Sequence, residues 1–313
     1  MTIQQKANML FESQVTRWPL LGANWQLLDA AQLKTFDFDG FTIKLQFNSR
    51  RITSSAARVD KVSIEKRPCF LCRENRPGEE KMLVCGKDYE ILCNPYPIFR
   101  KHFTIAKKVH TPQVIDAEFP RLLDLSRGLP ELVVFYNAPS CGASAPDHMH
   151  FQAGSRGFMP IEVEIGHLVE RYGKELTASG GCRVTSVRDG LRNFLVLESD
   201  RKECLVQVFS IISGFMRDLS GGEPMLNILA YYTKGWQIMV FPRAKHRPWQ
   251  FFEEGERNIL LSPAAVDMGG TMITPLEKDF SKMGREDIQD IFSQIILPEK
   301  EFSDLSGLLK EGI

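Results

Sequence analysis

Two of the chain's six histidines, His148 and His150, stand two residues apart, with Gln152 two further on. Side chains alternate across a strand, so these three polar groups would share one face and Met149, Phe151 and Ala153 the other. An imidazole in that position can serve as nucleophile, proton carrier or metal ligand. Just before it runs Gly142-Ala143-Ser144-Ala145-Pro146, small enough to bring backbone N–H groups up to an anion. A lone His-x-His is equally a metal pair or a surface accident, and a Gly-Ala-Ser run alone is a turn. Their succession within residues 137–154 is more specific than either part.

A second group with chemistry is Cys69-Phe70-Leu71-Cys72, following Arg67-Pro68. A single CxxC is a redox pair, half of a metal site or chance. No strand–CxxC–helix context favours redox. A metal knuckle is the better reading, but zinc needs two more ligands.

The run Gly142-Ala143-Ser144-Ala145-Pro146-x-His148-x-His150-x-Gln152 resembles the active-site strand of diadenosine tetraphosphate phosphorylases and galactose-1-phosphate uridylyltransferases. Both belong to the histidine-triad superfamily, with glutamine replacing the third histidine. Asn227-Ile228-Leu229, leading through Trp236 to Val240-Phe241-Pro242-Arg243, is similar to a phosphorylase segment, and Ser262-Pro263 and Gly269-Gly270 continue in that style. The resemblance spans residues 90–155 and, more loosely, 223–275. It implies that His150 attacks the α-phosphorus of a nucleotide and carries the nucleotidyl group covalently, neutral imidazole being a good nucleophile near pH 7. His148 would orient the site or bind metal. Gln152, Ser144 and the backbone around Gly142 and Ala143 would donate to phosphoryl oxygens, and Asn137 stands where the family has a phosphate-contacting asparagine.

The resemblance also implies a structural zinc held by Cys69, Cys72, His110 and His148, with His102 competing as third ligand. The two branches differ here, because the uridylyltransferases use such a CxxC and the phosphorylases do not. Arg243, Lys245, His246 and Arg247 either line an acceptor site or form a plain basic loop. Asn48-Ser49-Arg50-Arg51-Ile52-Thr53-Ser54-Ser55 is more readily a solvated hairpin than a phosphate clamp.

The elements that must hold these groups are a helix over 2–17, strands over 40–48, 89–93, 102–106, 131–136 and 148–153, and a helix over 116–127. Beyond a Gly-rich stretch at 173–190, the expected boundary, come a helix over 205–219, strands over 225–232 and 236–241, and a last helix over 285–297 ending at Pro298. A strand followed by basic residues and a histidine occurs twice, at 106–110 and 241–246, which suggests duplication. The expected fold is α+β: two histidine-triad-like halves, 1–172 and 185–313, around antiparallel sheet.

Lys+Arg and Asp+Glu are both 39 among 313 residues, so no charge bias points to nucleic acid or a membrane surface. No apolar run is long enough to span a bilayer. Seven cysteines, mostly scattered, argue against a disulfide framework and for the cytoplasm; Cys85, Cys93, Cys182 and Cys204 read as packing residues. The expected function is transfer of a nucleoside monophosphate from a nucleotide or nucleotide sugar to phosphate or a phosphosugar. A hydrolase and a non-catalytic nucleotide-binding protein are the rivals. Base, sugar and acceptor are not legible, and a homodimer is left open.

Overall fold

The computed structural model describes residues 1–52, 59–178 and 180–312, so Thr53, Ser54 and Ser55 of the basic hairpin lie outside the described residues. Thirteen strands are assigned among them: β1 Leu33–Asp37, β2 Thr42–Phe47, β3 Met82–Cys85, β4 Tyr89–Cys93, β5 His102–Lys107, β6 Leu132–Asn137, β7 His150–Ser155, β8 Gly173–Thr177, β9 Arg183–Arg188, β10 Asn193–Ser199, β11 Leu226–Tyr232, β12 Trp236–Pro242 and β13 Thr271–Thr274. Ten form one sheet in the order β3-β4-β5-β7-β6-β11-β12-β10-β9-β8. Every neighbouring pair in it is antiparallel. The fold is α+β around antiparallel sheet, as the strand periods lead one to expect.

Within the large sheet, the strands up to residue 155 meet those from residue 173 on where β6 pairs with β11, Asn137 opposite Asn227 and Phe135 opposite Leu229. Alternation along β6 then divides the core. Val134 and Tyr136 join the apolar cluster under the helices Ile3–Arg17, Phe119–Gly128 and Lys202–Ser220. Val133 and Phe135 join the cluster on the other face, with Phe41, Phe99, Phe194 and Phe292. That second face is also covered by the small sheet β1-β2-β13, in which β13 runs parallel to β2. Segments from both ends of the chain thus interlock over the face where Asn137, His150 and Gln152 emerge. Gly154 on β7 is required there, because a Cβ would lie 2.5 Å from the Phe99 ring.

Three local expectations need correction. His148 is not on the strand: its N–H closes a turn onto Ala145 O at 3.2 Å, and β7 begins only at His150. The stretch 173–190, the expected boundary, contributes β8 and β9 to the far end of the sheet. Pro298 does end a helix, Arg285–Ile295, but it also opens another, Glu299–Glu311, which buries Phe302, Leu305 and Leu309. Cys182 and Cys204 are joined as a disulfide, tying the chain before β9 to the first turn of helix Lys202–Ser220. Among the described residues no helix is long and apolar enough to cross a membrane.

Candidate active site

His150 opens β7 on the floor of a cleft of about 760 Å³. Its Nδ1 lies 2.8 Å from the carbonyl oxygen of His148. A carbonyl only accepts, so Nδ1 carries the proton and the lone pair is on Nε2. Nε2 has no hydrogen-bond partner among the described residues. Burial pushes the imidazole down to about 4, which keeps it neutral at neutral pH.

A residue without any motif holds this histidine in place. The side chain of Gln113 accepts from His150 N at 2.8 Å and donates to His150 O at 2.9 Å and to Asn137 O at 3.1 Å. One buried amide therefore locks the starts and ends of two strands that carry site residues. Nothing in the local sequence 108–116 signals this, since the contact is made across 24 and 37 residues.

Two residues along β7, Gln152 lines the same cleft. Ile98 N donates to Nδ1 of His102 at 3.4 Å, so the His102 proton sits on Nε2 and is donated to Gln152 Oε1 at 3.0 Å. The Gln152 oxygen is thus committed and its NH2 is left for the cleft. Burial and the nearby Arg51 guanidinium hold His102 down to about 3, in the neutral form this arrangement requires. Arg51, half-buried on the cleft wall, donates to Tyr96 O at 3.2 Å. The hairpin reading undervalued it, because the cleft exists only once the two halves close.

Gly142, Ala143 and Ser144 form the wall beside His150. Gly142 takes φ +94°, and a Cβ there would stand 2.6 Å from Ala264 Cβ, so only glycine fits this crossing of the two halves. The amides of Ala143 and Ser144 make no hydrogen bond among the described residues. Asn137 Oδ1 accepts from Asn227 Nδ2 and from Ala265 N, both at 2.8 Å, which again leaves an NH2 for the cleft. Donors from three segments therefore converge on the space in front of His150.

Arg243, expected to touch substrate, is placed differently. It is 1% exposed and does not line the cleft. Its guanidinium donates to Asn227 Oδ1 (2.5 Å), Ile295 O (3.2 Å) and the carbonyls of Pro263, Lys245 and His246 (3.1 Å each). It is a strut between strand and loops. Its neighbours His246 and Arg247 are the ones that reach the cleft.

Cys69, Cys72, His110 and His148 form a group that could hold a metal ion, their ligand atoms all within 4.8 Å of one another. Cys69 Sγ and Cys72 Sγ lie 3.4 and 3.5 Å from His148 Nδ1, and Cys72 Sγ lies 3.1 Å from His110 Nδ1. His148 Nε2 donates to Lys107 O at 2.7 Å, which leaves Nδ1 as the ligating nitrogen. His148 turns toward the thiols and away from the face shared by His150 and Gln152. His102, bonded to Gln152, is not part of this group.

Residues 10–155 match a family model described as a domain of unknown function (DUF4922), and residues 170–313 match one described as "GDPGP1-like, C-terminal domain". Galactose-1-phosphate uridylyltransferase of Lactococcus lactis subsp. cremoris is 27% identical over 118 residues, 33% of this chain and 24% of the relative. The chain thus matches about a quarter of that relative's length. Yeast Ap4A phosphorylase Apa2 superposes with a TM-score of 0.55 at 14% identity, over 89% of this chain and 94% of Apa2. In its complex with Ap4A the TM-score is 0.58 at 13% identity, over 89% and 96%.

The placement of Arg243 gives a direct test. Arg243→Met strands Asn227 Oδ1 and several buried carbonyls, and should lower unfolding stability by about 3 kcal/mol or more. Urea unfolding checks this. A variant with an unchanged midpoint and weakened substrate binding would return Arg243 to the substrate contacts.

Proposed function

We propose, for a chain that carries the fold of the galactose-1-phosphate uridylyltransferase and Ap4A phosphorylase branch of the histidine-triad superfamily, that it is a nucleotidyltransferase working through a nucleotidyl-His150 intermediate. The observation that carries this reading is the committed Nδ1–H of His150, which leaves an unprotonated Nε2 in a cleft ringed by hydrogen-bond donors. Nε2 attacks the α-phosphorus of a nucleotide donor. The P–O bond to the leaving phosphate or phosphosugar breaks, and the leaving group keeps the electron pair as an anion, so no proton is needed. The modified imidazole is cationic, and the Nδ1–H bond to the His148 carbonyl stabilises that charge. An oxygen of an acceptor phosphate or sugar 1-phosphate then attacks phosphorus, and the P–N bond breaks with its electrons returning to Nε2.

Gln152, Asn137 and the amides of Ala143 and Ser144 are the donors aimed at the charge that develops on the phosphoryl oxygens. Gln152 cannot titrate near neutral pH and so cannot activate water, which argues against a hydrolase. A non-catalytic binding protein would not need the fixed tautomer of His150. The Ap4A complex of Apa2 supports a nucleotide as donor here. A cytoplasmic location accompanies this reading on the strength of the five free cysteines, and the Cys182–Cys204 disulfide stands against it.

The metal we assign to Cys69, Cys72, His110 and His148 is zinc. Tetrahedral coordination at ordinary Zn–S and Zn–N lengths separates sulfur and nitrogen ligands by about 3.6 Å. Three of the four sulfur–nitrogen separations, at 3.1 to 3.5 Å, need only a small outward adjustment to admit it, and all four ligand atoms lie within 4.8 Å of one another. Four protein ligands fill the coordination shell, so the ion would supply structure, fixing the backbone at His148 on which His150 depends. The chain itself we divide near residues 173–184, into a half that carries the nucleophile and a half that closes the cleft.

Two outcomes are expected. Nucleotide sugars or dinucleoside polyphosphates should be consumed to one equivalent per chain and stall until phosphate is added, His150→Ala should consume none, and Gln152→His should raise the hydrolysed fraction. Rapid multiple turnover by the unmodified protein without acceptor would contradict the transferase reading in favour of a hydrolase. Metal analysis of the purified protein should find about one zinc per chain, and Cys69→Ser should lose it and unfold more readily. A folded, active, metal-free protein would remove the zinc assignment.

A further inference from the structure

The segment that carries Gln113 has no ladder of its own. Residues 111–115 are neither helix nor strand. Thr111 O accepts from Met149 N at 2.7 Å, and Gln113 N donates to Pro146 O at 3.1 Å. Both bonds join the segment to the approach to His150, which is the part it has to position. Support from elsewhere comes from the stretch between helix Lys202–Ser220 and β11.

Oε1 of Glu223 accepts from Ile115 N at 3.0 Å and from the Tyr136 hydroxyl at 3.1 Å. The same hydroxyl lies 3.4 Å from Gln113 O, so its one proton is directed between the two acceptors. One residue beyond Ile115, Asp116 is bonded to Ser213 and Arg217 of the helix. Ile115 and Tyr136 are buried, and Glu223 is half-buried. Burial pushes the Glu223 carboxyl up, while the bonds from Ile115 N and Tyr136 and the nearby Arg217 pull it back. Burial and Glu223 push the Tyr136 phenol well above its usual range, which keeps its proton available for donation. Drawing a carboxylate out of water is costly, and a packing residue would fill the space without that cost. A carboxylate oxygen does what an apolar side chain cannot: it accepts from a backbone amide and a phenol at once, at two points next to Gln113.

We propose that Glu223 is a positioning residue for His150, acting through Ile115 and Tyr136 on Gln113. Glu223 fixes the backbone over 113–115, and that backbone fixes the Gln113 amide. The amide accepts from His150 N and donates to His150 O, and so sets where Nε2 points. Glu223 itself does not line the cleft. The groups that would hold a donor stand on other supports, Gln152 on His102 and Asn137 on Asn227 and Ala265. Loss of Glu223 should therefore misplace the imidazole and leave donor binding nearly unchanged. That His150 is a nucleophile rests on the function proposed above; that Glu223 sets its position does not.

The test compares wild type with Glu223→Ala, Glu223→Gln and Tyr136→Phe in two measurements. In the donor-free protein, amide hydrogen exchange is read by NMR. The His150 amide, whose acceptor is Gln113 Oε1, should exchange about tenfold or more faster in Glu223→Ala, whereas amides further along β7, held by β5 and β6, should not. In steady-state turnover of the nucleotide donor with phosphate, Glu223→Ala should lower kcat about tenfold to a hundredfold and leave KM for the donor within about twofold. Glu223→Gln, whose amide oxygen can accept the same two bonds, should recover most of the rate. Where Glu223→Ala does not fold, Tyr136→Phe takes its place, with an expected change of about threefold in both measurements. An unchanged His150 amide and kcat in either folded variant, or a loss carried by KM with kcat unchanged, would overturn the role. Faster exchange at His150 in a protein that never loads it would sink the proposed transfer and leave the positioning role standing. A loaded His150 whose amide and rate are indifferent to Glu223 would do the reverse.

Discussion

Nδ1 of His150 donates to the carbonyl of His148 at 2.8 Å, and what the imidazole can do follows from that bond. With the proton held on Nδ1, Nε2 is a lone pair facing the cleft, and under the proposed mechanism a phosphorus bonded there would leave a cation that the same carbonyl would stabilise. The bond also makes His150 depend on the backbone two residues earlier. His148 has a buried imidazole directed at Cys69 and Cys72 and anchored through Nε2 to Lys107 O. The cysteine–histidine group and His150 therefore share a residue, one using its side chain and the other its carbonyl. A disturbance at the thiols would reach Nε2 through a single peptide unit.

The second half of the chain enters through an equally short path. Asn137, at the end of β6, accepts from Asn227 on β11; Asn227 accepts from Arg243; and Arg243 holds the loop carrying His246 and Arg247. Gly142 closes against Ala264 where any side chain would collide. The wall in front of His150 is thus built from both halves, and the antiparallel pairing of β6 with β11 sets their register. Buried polar groups linked in this way are costly to break singly, which makes the cleft a preorganised one.

What the sequence reveals and what it hides divide along one physical line. His150, Gln152, Asn137 and the Gly142–Ser144 loop are legible because their chemistry is packed into 16 consecutive residues on a strand and its approach. The four cysteine and histidine ligands can be proposed by resemblance, though choosing His110 over His102 needed the fold, which gives His102 to Gln152. Gln113 was invisible, since an amide that brackets two strands has no local pattern. Arg243 reads otherwise for the related reason that a basic residue after a strand looks the same whether it faces a substrate or five acceptors of its own chain. The face of His148 was misjudged because period-two alternation holds only where the strand has begun, and the Ala145–His148 turn delays its start. Helix Glu299–Glu311 was hidden by a proline that both stops and starts a helix.

The central claim is that the nucleotidyl group travels on Nε2 of His150. The direct measurement is intact-mass spectrometry of protein quenched in acid-free buffer after mixing with a nucleotide donor and no acceptor, followed by fragmentation of the peptide containing His148 and His150. The account predicts one added nucleoside monophosphate per chain, located on His150 and lost on adding phosphate. Donor turnover in the presence of phosphate with no mass added at any time, or with the added group on another residue, would contradict it.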